Sequence, residues 1–169
     1  IIGYGNMGSA FAKILSGFDC KVIAHDKYKN GFGNELVGEV GLDSIFNETD
    51  ILSIHLPLSE ETHYYVNNVF LSKFKKPIYL INTARGNNLC ASDLVNGLKA
   101  NSVLGACLDV IEYEAKSFET INAENLPEDF KCLAQSDKVI LSPHVAGWTQ
   151  ESYIKLSSVL ADKIENEFS

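Results

Sequence analysis

Ile1-Ile2-Gly3-Tyr4-Gly5-Asn6-Met7-Gly8 runs from two apolar, β-favouring residues into a G-x-G-x-x-G turn. Beyond it Met7, Ala10, Phe11, Ile14 and Leu15 recur at helical spacing. The turn therefore joins a strand to a helix over about Asn6 to Ser16, with Gly17 as its stop. That context separates the motif from a glycine turn used only for packing. Gly3 permits the tight turn, Gly5 lets the backbone approach a pyrophosphate, and Gly8 lets helix and strand pack closely. The free N–H groups at the helix start, around Asn6 and Met7, then face the phosphates. Buried strands usually run to about five residues, so the expectation is that Ile1-Ile2 is the end of a longer strand and that more chain precedes it.

Asp26 lies 18 residues past Gly8, at the end of the apolar run Val22-Ile23-Ala24. An acid there accepts the ribose hydroxyls of an adenosine and repels the 2′-phosphate of NADP, which favours NAD. Lys27 and Lys29 stand close by and soften that discrimination.

Outward from this unit, short apolar strands alternate with helical stretches, the pattern of a Rossmann-type doubly wound parallel sheet with helices on both faces. Strands are expected over 21–25, 38–41 (weak), 51–56, 77–82, 103–110 and 139–142. Helices are expected over 43–47 with Asp43 as cap, 67–74, 92–100 with Ser92 as cap, and 149–168. The last helix carries Tyr153, Leu156, Val159, Leu160, Lys163 and Ile164 on what reads as one buried stripe. Residues 112–136 read mostly as loop.

The 169 residues suit one dinucleotide-binding domain over 1–169, with most of a second, substrate-binding domain absent from the chain. No apolar run nears the ~20 residues of a membrane span. A net charge of −8 argues against nucleic acid or an anionic membrane as partner. Cys20, Cys90, Cys107 and Cys132 form no C-x-x-C pair, which points away from a zinc site or a disulfide framework and toward a reducing, cytoplasmic setting.

Four later segments occur in order: His55-Leu56-Pro57-Leu58 with Glu61-Thr62, Asn82-Thr83-Ala84-Arg85-Gly86, Gly105-Ala106-Cys107-Leu108-Asp109-Val110, and Ser142-Pro143-His144-Val145-Ala146-Gly147. Behind a glycine fingerprint, this series resembles the D-isomer-specific 2-hydroxyacid dehydrogenases over nearly the whole chain. The resemblance implies Arg85, Glu114 and His144 as catalytic residues and Asp109 as a partner of the nicotinamide carboxamide. It further implies Leu56, Pro57, Thr62, Thr83 and Ala84 around the cofactor, with Arg85, His144 and Gly147 beside it. It also implies a homodimer and a small 2-keto or 2-hydroxy acid as substrate, with a phosphoglycerate dehydrogenase-like activity favoured. The family's usual Pro after the catalytic Glu is Ala115 here, so Glu112 stays open as the alternative carboxylate.

The chemistry suits these residue types. Reduction of a 2-keto acid requires a group that holds the carboxylate and polarises the carbonyl, and a guanidinium does both with a rigid, permanently charged fork. The new alkoxide needs a proton, which an imidazole gives and takes near neutral pH. A carboxylate beside the ring orients it and stabilises its charged form. His55 reads as structural support, His25 and His63 as surface residues, and Trp148 as either cleft lining or packing for the last helix. An NADH-sensing binding protein, similar to the corepressors that share this fold, is the alternative function.

Overall fold

The computed structural model describes residues 1–114 and 126–168. β1 (Ile23–Ala24) pairs in parallel with β2 (Gly38–Glu39), and β3 (Ile51–Ile54), β4 (Ile78–Asn82), β5 (Val103–Leu108) and β6 (Val139–Leu141) form a four-stranded parallel sheet in that order. Ile2 joins the two pieces, bridging His25 on one side and Ile54 on the other. Read across, the order is β2, β1, Ile2, β3, β4, β5, β6, so the chain reverses direction of growth at Ile2. This is the Rossmann-type α/β architecture, and the reversal point is where such sheets open a crevice. Leu52, Ile54, Leu80 and Val103 are fully buried, because a parallel sheet covered by helices leaves no wet face for its central strands.

Several strands stop earlier than expected, among them β3 at Ile54 and β5 at Leu108. Leu56 thus lies past the end of its strand, while Asp109 keeps one ladder bond, its N–H donating to Asn82 O at 3.0 Å. α1 (Asn6–Leu15) buries Gly8 and Ala12 and half-buries Phe11 and Leu15. Met7 and Ile14, read as part of its apolar stripe, are 71% and 66% exposed, because the tight glycine contact turns Gly8 and not Met7 to the sheet. The helix runs on through a 3-10 turn (Ser16–Phe18), and Asp19, at φ 51°, rather than Gly17, reverses the chain.

The caps differ from expectation as well. In α2 (Leu42–Glu48) Gly41 takes the cap position and Asp43 lies in the first turn. In α4 (Ala91–Lys99) Cys90 takes it and Ser92 lies inside. The first-turn acids of these helices, Asp43 and Asp93, suit the helix dipole, and Asp93 also accepts from Asn68 N at the start of the helix Asn68–Leu71 at 2.8 Å. α3 (Asn68–Leu71) has a true side-chain cap, Asn67 accepting from Phe70 N.

Within the stretch expected as loop, α5 (Glu128–Ala134) forms, and residues 115–125 of that stretch lie outside the described residues. Its acids sit in the first turn, where they suit the dipole, and Leu133 is buried. α6 (Gln150–Phe168) overturns the expected buried stripe. It has no buried residue, with Tyr153, Leu156, Val159, Leu160 and Ile164 all exposed, because no described element packs along it. Among the described residues no helix is long and apolar enough to cross a membrane.

Candidate active site

The functional segments all leave the carboxyl ends of parallel strands, so they meet along one edge of the sheet. Gly3 turns there with φ +88°, and a Cβ on it would stand 2.6 Å from His55 O. A Cβ on Gly8 would stand 2.1 Å from Gly3 O. Both positions thus require glycine, whereas a Cβ on Gly5 would meet nothing within 4 Å. Gly5 therefore exposes bare backbone to an open space at the start of α1, beside exposed Asn6 and Met7. This is the cradle a pyrophosphate fits.

Gly3 and Gly5 line a cleft of about 970 Å³, together with Asp26, Leu56, Pro57 and Thr62. The volume suits a large ligand. Asp26 is positioned by backbone donors: Tyr4 N at 2.7 Å on Oδ2, Tyr28 N and Lys29 N at 2.9 Å on Oδ1. Burial raises its carboxyl, but these N–H groups outweigh burial and hold it below the usual range. An ionised acid therefore faces the cleft. Thr62 is a brace for the wall: its hydroxyl donates to Pro57 O at 2.6 Å and accepts from Ser59 N at 2.8 Å. The His55 ring lies tilted against Phe11, centroids 5.1 Å apart, and bonds the Ser53 hydroxyl through Nε2 at 2.9 Å. Burial pushes its pKa down to about 4, which keeps the ring neutral beneath the glycine turn.

Farther along the edge, His144 Nδ1 lies 2.8 Å from Glu114 Oε2. Glu114 Oε1 accepts from Ile111 N at 2.8 Å, which fixes the carboxylate. Glu112 points elsewhere, accepting from Ala91 N at the start of α4 at 3.1 Å. Of the two carboxylates left open by the sequence, Glu114 is the one at the imidazole.

Residues 1–146 match the family described as D-isomer specific 2-hydroxyacid dehydrogenase, NAD binding domain. The chain belongs to that family. A D-lactate dehydrogenase from Treponema pallidum is 30% identical over 152 residues, covering 89% of this chain and 46% of that protein. A glyoxylate reductase from Thermofilum pendens is 36% identical over 164 residues, covering 95% and 45%. The NAD-complexed D-isomer specific 2-hydroxyacid dehydrogenase from Lactobacillus delbrueckii ssp. bulgaricus superposes with a TM-score of 0.87 at 33% identity, covering 99% of this chain and 53% of that one. The chain thus spans about half the length of the relatives it matches.

In this NAD-binding domain the histidine is held by a clasp that sequence reading did not assign. Asp109, 5% exposed, accepts from Ser142 Oγ at 2.5 Å and from Val145 N and Ala146 N at 2.9 Å. Its carboxylate thereby grips the loop on both sides of His144, which takes the left-handed φ of 55°. Asp109 was expected at the nicotinamide carboxamide; its visible bonds go to the loop. Burial raises the Asp109 carboxyl, but the Ser142 hydroxyl and the Ala146 and Val145 N–H groups prevail and bring it below 3.8. A lowered carboxyl adds stability that is complete above the unfolded value and lost as pH falls through the folded one. Asp109→Asn should therefore be less stable than the parent at neutral pH, with the gap narrowing as acid unfolding is followed below pH 3.8. A constant gap across that range would count against the clasp.

Arg85 follows β4 on an Asx-type turn. Asn82, fully buried, accepts from Ala84 N at 3.1 Å and donates to Arg85 O at 3.0 Å. Thr83 is exposed at the tip, and Arg85 is exposed with Nη1 donating to Ala84 O at 2.6 Å. Asn88, also fully buried, donates to Pro57 O and Thr62 O at 3.2 Å and so ties this segment to the cleft wall. Gly147 borders open space, and Trp148 is 61% exposed.

Gly86 explains how the Arg85 and Glu114 segments come together. A Cβ on it would lie 2.1 Å from Ile111 C, 2.2 Å from Ile111 O and 2.6 Å from Glu112 N. All three are backbone atoms, so nothing flexible can yield. Gly86→Ala is expected to cost about 1–3 kcal/mol and to lower activity as well, since the displaced segments carry Arg85 and Glu114. Calorimetry checks this, and an unchanged Tm would refute the contact.

Proposed function

We propose that the full-length protein is an NAD-dependent dehydrogenase that interconverts a D-2-hydroxy acid and its 2-keto acid. In this reading residues 1–169 form the dinucleotide-binding domain, and the remainder of the protein supplies a substrate domain. The observation that carries it is the 2.8 Å His144–Glu114 pair on the same sheet edge as Arg85 and the glycine cradle. Family membership and the open backbone at Gly5 support NAD as the cofactor.

Bound NADH supplies the hydride. Arg85 holds the substrate carboxylate and polarises the carbonyl, drawing its π electrons onto oxygen. His144 then gives the alkoxide its proton from Nε2, while Nδ1–H stays on Glu114. Oxidation of the hydroxy acid runs the same proton back. Asp109 and Ser142 keep the ring where both transfers are in reach. Relatives are named for lactate, glyoxylate and hydroxypyruvate, and a phosphoglycerate-type substrate is the finer expectation from resemblance. A cytoplasmic homodimer completes the proposal, and the four free cysteines fit a reducing compartment.

NADH oxidation by the full-length protein against pyruvate, glyoxylate, hydroxypyruvate and phosphohydroxypyruvate tests the proposal. Turnover of one acid names the substrate. NADH binding with turnover of none would move the protein to the cofactor-sensing class.

A further inference from the structure

The loop after β1 and the loop after β3 face each other across the mouth of the cofactor cleft, and one carboxylate joins them. Glu61 Oε1 pairs with Lys27 Nζ, and Glu61 Oε2 accepts from Tyr28 OH. All three residues line the cleft beside Asp26. Their mutual hydrogen bond, the largest cause, raises the Lys27 ammonium and lowers the Glu61 carboxyl, so both stay charged. Lys27 directly follows Asp26, the acid placed for the ribose 2′-hydroxyl, and is therefore next to where NADP would carry its 2′-phosphate. A cation at that place is how such sites accommodate the phosphate. Exposed ion pairs add little to stability, so this pair does not explain itself as a fold element.

We propose that Glu61 is a cofactor-specificity residue. It draws Lys27 across the cleft mouth, cancels its charge and keeps it from a 2′-phosphate, while Tyr28 is held by the same carboxylate. Discrimination against NADP then has two parts on opposite walls: repulsion by Asp26 and withdrawal of Lys27 by Glu61. The inference rests on the cleft as the NAD site and not on the hydroxyacid chemistry.

Glu61→Gln tests it, because the amide keeps an acceptor for Tyr28 and removes only the charge. NADH and NADPH are titrated by fluorescence into the full-length parent, Glu61→Gln, Lys27→Met and the double variant. The expected result is that Glu61→Gln shifts the ratio of affinities toward NADPH by about three- to tenfold. That shift should shrink with added salt and vanish in the Lys27→Met background. An unchanged ratio, or a shift that persists without Lys27, overturns the proposal and leaves Glu61 a loop brace. A parent that binds neither cofactor overturns it together with the NAD site. The expected shift in Glu61→Gln, with a parent that turns over no keto acid, leaves this inference standing and removes the dehydrogenase reading alone.

Discussion

His144→Ala is expected to lower kcat for keto-acid reduction by about 10²–10⁴-fold, the range that a positioned acid–base group contributes. The ring is oriented by Glu114 at 2.8 Å, and Glu114 is in turn anchored on Ile111 N. Glu114→Gln retains a hydrogen-bonding partner but not the negative charge that favours an imidazolium, so a smaller loss of about ten- to a hundredfold is expected. The two changes act through one proton. The double variant should therefore be no slower than His144→Ala alone, a non-additivity that steady-state kinetics reads directly. Additive losses would mean that Glu114 works on something other than the imidazole, and an active His144→Ala enzyme would remove the proton-transfer role.

Arg85→Ala should cost about 10²–10⁴-fold in kcat/KM. The estimate corresponds to two charge-assisted hydrogen bonds of about 1.5–3 kcal/mol each, one set to the carboxylate and one to the carbonyl. Both constants should change. KM rises because the carboxylate loses its fork, and kcat falls because the carbonyl is less polarised as charge develops on it. Arg85→Lys should recover little, since an ammonium is a point donor and cannot span both groups. The guanidinium is exposed and donates through Nη1 to Ala84 O. A variant that raises KM with kcat intact would confine Arg85 to carboxylate binding.

Much of this site was legible before any coordinates. The glycine fingerprint announced a strand–turn–helix, and the turn at Gly3 with Gly8 against its carbonyl is what that spacing requires. His144 and Glu114 were named from motif position, and the geometry brings them into contact. What escaped the sequence depended on third parties. The choice between Glu112 and Glu114 hinged on the start of α4, because Ala91 N claims Glu112. Asp109 was read as a ligand contact since nothing local shows that Ser142, Val145 and Ala146, more than thirty residues away, return to it. Asn82 carried a usable signal, being a turn-forming residue at a strand end, whereas buried Asn88 carried none. The apolar spacing of α6 was real, but periodicity tells which face is apolar and not whether a described neighbour covers it.

The left-handed backbone at His144 has a bearing on how chains of this kind diverge. Glycine enters that region without penalty and asparagine with little, while a bulkier L-residue gives up about 1 kcal/mol. Backbone conformation alone offers no reason to keep an imidazole there. A lineage released from proton transfer but still using the cofactor would drift at this position toward Gly or Asn, with the Asp109 clasp intact beneath it. On the proposed proton-transfer role, the identity of residue 144 is thus a simple marker for sorting the working enzymes from descendants that have kept only the fold and its nucleotide.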